Sequence, residues 1–134
     1  MFLYGGNDGH NILLGLVGND TILAGGGNDT LDGGTGNDKM TGGAGDDYYY
    51  MDAIGDVATE AANEGNDTIE STVDQTALDL NVENLILTGS AKIGVGNKSA
   101  NTITGNAIAN DLQGGAGNDT LQGDAGADTT NGGR

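Results

Sequence analysis

The chain has no cysteine, no proline and no tryptophan, one phenylalanine, one histidine and only four basic residues. Each shortage closes a class of explanation. Without cysteine there is no disulfide framework and no thiolate metal site, although the lack says little about compartment. Four Lys and Arg stand against 20 Asp and Glu, a formal net charge of −16. A chain of that sign offers no basic patch to nucleic acid or to an anionic membrane. No apolar run approaches the ~18–20 residues of a transmembrane helix, and Met1-Phe2-Leu3-Tyr4 is too short to be a signal peptide. His10 lies in a glycine-rich stretch without the partners that a zinc or catalytic site needs.

What is abundant is glycine, 27 of 134 residues, together with aspartate. High net charge with few aromatics ordinarily leaves a chain disordered, because too little apolar surface is available to offset chain entropy. The order of the residues argues otherwise. Asp20, Asp29, Asp38 and Asp47 are nine apart, in the blocks GLVGNDTIL (15–23), AGGGNDTLD (24–32), GGTGNDKMT (33–41) and GGAGDDYYY (42–50). The preceding block, GNDGHNILL (6–14), has Asn11 in place of the acid. The eighth position is apolar throughout: Leu13, Ile22, Leu31, Met40, Tyr49. The phase returns in GNKSANTIT, GNAIANDLQ, GGAGNDTLQ and GDAGADTTN (96–131), with Asn101, Asn110, Asp119 and Asp128 at the sixth position. An internal repeat of this strictness outranks the other signals.

Between the arrays the grammar loosens. Asp56 keeps the phase, Asp67 follows eleven later with two residues inserted, Val82–Thr88 reads as a longer strand, and Ile93 and Val95 as a short one. The organisation expected is a single elongated domain over 1–134. Its regular repeats span 6–50, irregular bridging coils 51–95, and a second, partly degenerate array 96–131. Glycine pairs near both ends suggest a piece cut from a longer array.

Each nonapeptide divides into a six-residue glycine-rich turn, where positive φ costs little, and a three-residue strand. Side chains alternate along a strand, so the eighth residue points inward and its neighbours outward. Two nonapeptides make one coil of eighteen residues, and coils stack as parallel strands about 4.8 Å apart. The fold class expected is all-β: a flattened, right-handed parallel β-solenoid, or β-roll, with an irregular middle segment.

Stacking creates an electrostatic problem. It puts the aspartate of one coil about one strand spacing from that of the next, and two like charges ~5 Å apart at an effective dielectric of ~20 repel by about 3 kcal/mol. A hard divalent cation between coils removes the conflict. Calcium takes six to eight oxygens from carboxylates and backbone carbonyls. Two stacked turns offer two carboxylates and about four carbonyls, a donor set that suits calcium and not zinc.

GGTGNDKMT, GGAGDDYYY and GGAGNDTLQ resemble the RTX nonapeptide GGxGxDxUx, U being a large apolar residue, a repeat established in calcium-binding β-helices. The middle, YYYMDAIGDVATEAANEGNDTIESTV with VENLILTGS and GNKSANTITGN, resembles the bridging block of bacterial RTX modules. The resemblance covers roughly residues 5–133. It implies several calcium ions, a secreted bacterial protein exported by type I secretion, and a chain that folds only once calcium is met outside the cell.

Carried onto this sequence, it places calcium between turns eighteen residues apart. Asp20 faces Asp38 on one edge, and Asp29 faces Asp47 on the other. Asp38 with Asp56 and Asp47 with Asp67 continue the two series. Carbonyl ligands are expected from Gly18, Gly25, Gly27, Gly34, Gly36, Gly43, Gly45, Gly115 and Gly117. Asn11 with Asp29, Asn101 with Asp119 and Asn110 with Asp128 would form weaker sites, and Glu60 is a candidate cap for a site in the middle block.

Other readings compete less well. The acids recur by repeat grammar, whereas a glycosidase needs a unique pair in a cleft, so no catalytic residue is expected. The Asn-Asp-Thr sequons at Asn19, Asn28, Asn66 and Asn118 arise from the repeat itself. An ice-binding threonine ladder fails, because the outward series run Ile12, Thr30, Tyr48 and Thr21, Lys39, Val57. Tyr48 and Tyr50 should point outward beside the inward Tyr49. They keep open a carbohydrate-binding accessory role in an alginate-type enzyme, as does a spacer role in an adhesin. A polysaccharide, or the catalytic domain of a parent protein, would then be the partner.

Overall fold

In the computed structural model, residues 3–133 are described. Met1 and Phe2, part of the segment weighed above as a leader, and Arg134 lie outside the described residues.

With one inward side chain per strand, an isolated nonapeptide has almost nothing to bury, and only stacking gives it a core. Among the described residues the chain forms fourteen strands: β1 (Leu3–Gly5), β2 (Ile12–Leu14), β3 (Thr21–Gly26), β4 (Thr30–Asp32), β5 (Lys39–Ala44), β6 (Tyr48–Met51), β7 (Val57–Thr59), β8 (Thr68–Ser71), β9 (Asn84–Leu87), β10 (Ile93–Val95), β11 (Thr102–Thr104), β12 (Asp111–Gln113), β13 (Thr120–Gln122) and β14 (Thr129–Asn131). All paired strands are parallel. A seven-stranded sheet runs β13-β11-β9-β8-β6-β4-β2. Opposite it lie a four-stranded sheet, β1-β3-β5-β7, and a three-stranded one, β10-β12-β14. This is a parallel β-solenoid of about seven turns.

The register is that of an eighteen-residue coil. Leu13 pairs with Leu31, Leu31 with Tyr49, and Ile22 with Met40. Eighth-position residues Ile22, Leu31, Met40, Tyr49, Ile103 and Leu112 are fully buried, forming an apolar column between the sheets. Leu13 and Leu121, nearer the ends, are only partly buried against it. The outward series also fall in register, Ile12 with Thr30 and Tyr48, and Thr21 with Lys39 and Val57. No threonine ladder forms there.

The middle explains how the phase survives its irregularity. Tyr48 pairs with Thr68, twenty residues on, and Thr68 with Asn84, sixteen on. The coil that gains two residues is followed by one that loses two, so Asn84 and Thr102 are again eighteen apart. Through these two coils the core also takes in Met51, Leu78, Val82 and Leu87. The longer strand expected over Val82–Thr88 is confined to β9.

Candidate metal centre

Two glycines shape the turns of the repeats from residue 24 to residue 50. Gly34 and Gly36 have φ of 77° and 140°, values that side chains rarely adopt. A β-carbon on Gly36 would overlap the carbonyl oxygen of Gly18 in the preceding coil. The corresponding Gly18, Gly25, Gly27, Gly43, Gly45, Gly115 and Gly117 all have positive φ as well. Leu16, the one non-glycine at such a position in the regular repeats, adopts a φ of 75°. Because the turns nest this closely, the carbonyls of Leu16, Gly18, Gly25, Gly27 and Gly45 each point at a glycine α-carbon of the next coil. Rows of carbonyl oxygen therefore lie between stacked turns.

The aspartates form a second repeating element. Oδ1 of Asp38 accepts the main-chain N–H of Asp20 at 2.6 Å, and Oδ1 of Asp47 that of Asp29 at 2.7 Å. Asp38 and Asp47 donate in turn to Asp56 and Asp67, at 2.9 and 2.8 Å. Asn11 donates to Asp29, Asn101 to Asp119 and Asn110 to Asp128. Each of these carboxylates thus ties its coil to the one before through one oxygen. The other oxygen is left over: Oδ2 of Asp29, Asp38, Asp47 and Asp119 is buried with no hydrogen-bond partner.

Buried polar groups are normally satisfied, and leaving one unmade costs roughly 1–3 kcal/mol, more when it is charged. Here the orphaned oxygens are carboxylate oxygens lying close to others of the same sign. Burial pushes the carboxyls of Asp47 and Asp67 up to about 6, and neighbouring acids add to the shift. Burial likewise raises Asp38 and Asp56. Hard, unpartnered carboxylate oxygens, in turns that also set backbone carbonyls against the next coil, are a donor set that fits a calcium ion.

The middle and C-terminal turns depart from the rule. Asp56 uses both oxygens internally, since its Oδ2 accepts the N–H groups of Asp52 and Ala53 at 3.1 and 3.0 Å. Glu60 turns inward beneath the Gly42 turn, close enough to Asp47 and Asp67 for one oxygen of each to lie within 4.8 Å of the others. Glu83 takes the place of an aspartate, its Oε2 accepting from Asp67 N–H at 2.8 Å. Spacing alone does not mark it, because it stands sixteen residues after Asp67, yet the pairing of Thr68 with Asn84 puts it in the register of the aspartate column.

Asn101 and Asn110 solve the same problem differently. Their Oδ1 atoms accept from the N–H groups of Asn97 and Asn106 within the turn. Their Nδ2 groups donate to backbone carbonyls of the preceding coil, Val82 and Glu83 in one case and Ala91 in the other. Asn97 and Asn106 extend this by donating to Asp79, Val82 and Ala91 carbonyls. The amide oxygen of Asn101 and of Asn110 lies against the first glycine of the turn, where acidic turns hold their bare Oδ2, but here it is satisfied by a turn N–H. The nitrogen replaces the oxygen that ties the coil to the one before. Asp119 and Asp128, in the last coils, are half-buried.

Elsewhere, His10 bonds the Asn28 carbonyl through Nδ1 at 2.9 Å. Tyr48 and Tyr50 lie with ring centroids 5.2 Å apart, the Tyr48 hydroxyl donating to Glu70 at 2.7 Å.

A parallel solenoid whose turns stack carboxylate on carboxylate and carbonyl on glycine defines a calcium-binding repeat protein. The family comparison agrees: the RTX calcium-binding nonapeptide repeat matches in four copies, over residues 5–40, 24–53 and 104–134, and the chain belongs to that family. A search of curated proteins and one of solved structures each gave no match. Such a roll is a structural calcium-binding module and not a catalytic fold, and its repeats are typical of secreted bacterial proteins.

Proposed function

We propose that this roll is a calcium-dependent folding and scaffold module of a larger extracellular bacterial protein, exported by type I secretion. The observation that carries the reading is the set of buried, partnerless Oδ2 oxygens on Asp29, Asp38, Asp47 and Asp119. They leave the metal-free roll with charge it cannot satisfy. Calcium, when bound, supplies positive charge and an open demand for oxygen ligands between coils. On this reading, aspartates 20, 29, 38, 47 and 67 hold the ions, with carbonyls from Gly18, Gly25, Gly27 and Gly45. Asp56 and the turns of Asn101 and Asn110 contribute through hydrogen bonds within the protein. A ligand that binds only the folded state stabilises it by mass action, so the chain stays open where calcium is scarce and closes where it is plentiful.

The carbohydrate reading has less support, since Tyr48 spends its hydroxyl on Glu70 and the surrounding charge is acidic. The test is far-ultraviolet circular dichroism in chelator, followed by calcium titration to roughly 10 mM, well above the affinity range of extracellular sites, with magnesium as control. A change from coil to β with calcium alone, lost in Asp29→Ala/Asp38→Ala, is expected. A β spectrum indifferent to calcium would refute the reading.

A further inference from the structure

We infer that Asp47, Glu60 and Asp67 form one three-carboxylate cation site, chemically distinct from the two-aspartate turns, and that it is the first to fill as the roll takes up a hard cation. The inference rests on the calcium-module reading above and deepens it.

Glu60 stands at the position that glycine occupies in regular coils. Thr41 and Thr59 pair in register, so Glu60 lies beneath Gly42. In the regular turns this glycine packs its α-carbon on the aspartate carboxylate, as Gly33 does on Asp38. At Glu60 a carboxylate enters instead, and the two extra residues between Glu60 and Asp67 open the loop enough to admit it. A β-carbon on Gly42 would strike both Asp47 Oδ2 and Glu60 Oε1, which places those two oxygens against the same small volume.

Asp47 is 2% exposed, Asp67 1% and Glu60 7%, and Oδ2 of Asp47 has no hydrogen-bond partner. The Tyr49 hydroxyl and the N–H groups of Gly42 and Gly43 donate to Glu60 and hold its carboxylate in place. These donors orient the group without neutralising it, and the charged neighbours acting on all three acids are themselves acidic. A third carboxylate raises the ligand charge, which is the variable that tightens calcium sites.

Tyr49 supplies a reporter, because a bound lanthanide close to a tyrosine emits when the ring is excited. Terbium is titrated into the calcium-depleted chain at neutral pH, reading tyrosine-sensitised emission, with calcium added as competitor. Sensitised emission should saturate in the earliest phase. Glu60→Gln should weaken that phase by about tenfold or more, as expected for losing one of three charged ligands. Asp124→Asn, an exposed acid outside the carboxylate columns, should leave it intact. Folding of each variant is checked by circular dichroism at saturating calcium. If Glu60→Gln fails to fold there, Glu60→Asp, which keeps the charge but withdraws it by one methylene, must still weaken the early phase. Wild-type behaviour in a folded Glu60 variant would overturn the site, leaving Glu60 a structural carboxyl while the other turns still bind. Absence of any calcium or terbium binding to the wild-type chain would overturn both this site and the module reading.

Discussion

The main-chain N–H of Asp29 donates to Oδ1 of Asp47, one coil further on, at 2.7 Å. That single bond gives the carboxylate two separable duties. One oxygen is a strut between coils, and the other faces the space between turns. Charge matters to the second duty and hydrogen-bonding capacity to the first, so substitutions can pull them apart.

Asp47→Asn keeps an acceptor for Asp29 and removes the charge, whereas Asp47→Ala removes both. In chelator the Asn variant should be more stable than wild type, because repulsion within the acidic column is relieved. In saturating calcium it should be less stable, having lost a ligand. The Ala variant should be worse than Asn under either condition by about 1–3 kcal/mol, the cost of stranding the Asp29 N–H. Osmolyte-driven folding in chelator and urea unfolding in saturating calcium give the comparison. A Asn variant weaker than wild type in chelator would mean that charge repulsion is not what limits the metal-free roll.

The glycines should be equally unequal. Gly36 has a φ of 140°, and a β-carbon there would collide with the Gly18 carbonyl. Gly36→Ala should therefore cost upwards of about 1–3 kcal/mol from backbone strain alone, and the coils must part to relieve the overlap. Gly132→Ala, where nothing lies within 4 Å, should be close to neutral. Thermal unfolding in calcium distinguishes them, and equal effects would show that nesting of the turns is not required.

Most of the architecture was written in the repeat. The i to i+18 pairing, the buried eighth residue and the positive φ of the paired turn glycines follow from sequence, whereas the positive φ of Leu16 does not. Local chemistry and period two determine them, and the coils from Ala24 to Tyr50 repeat the same solution. The middle was less legible for a physical reason. A two-residue insertion announced itself between Asp47 and Asp67, but the compensating loss before Glu83 did not, so Glu83 could not be placed in the aspartate column. Likewise Asp56 kept the phase that marks a ligand, yet the loop at Asp52 and Ala53 folds back to occupy its second oxygen. Phase says where a side chain starts, and tertiary path decides what it meets.

The asparagine turns predict a second kind of stability. Asn110 donates through Nδ2 to the Ala91 carbonyl and accepts from Asn106 N–H, bonds that need no ion. Asn110→Ala should destabilise the roll by about 1–3 kcal/mol for the buried groups left unmade, and by the same amount at every calcium concentration. The midpoint of calcium-driven folding should shift while its steepness does not. Amide hydrogen exchange at partial calcium loading offers an independent check. Amides of β11 and β12, backed by asparagine, should be protected before those of β3 and β5. The reverse order would mean that the asparagines merely fill space.

Protons should compete with calcium in a definite direction. Asp47 and Asp67 are pushed up to about 6 and Glu60 to about 8, from ordinary values of 3.8 and 4.5, by burial first and by neighbouring acids second. Between the unfolded and folded values, the folded metal-free roll holds more protons than the unfolded chain. Its stability is therefore fullest below about pH 4 and is lost as pH rises through about 6 and then about 8. Calcium-depleted protein should accordingly retain more β signal at about pH 5 than at about pH 8, the opposite of ordinary acid denaturation. With calcium present the sign reverses, since the ion needs the deprotonated carboxylates. The calcium midpoint should fall as pH rises across the same window, and binding should release protons into weak buffer. Circular dichroism of the calcium-free chain against pH tests the first half, and calcium titration at several pH values the second. Calcium-free stability that climbs from pH 5 to 8 would show that these carboxylates find their compensating charge within the protein, and the case for a cation between the coils would fall with it.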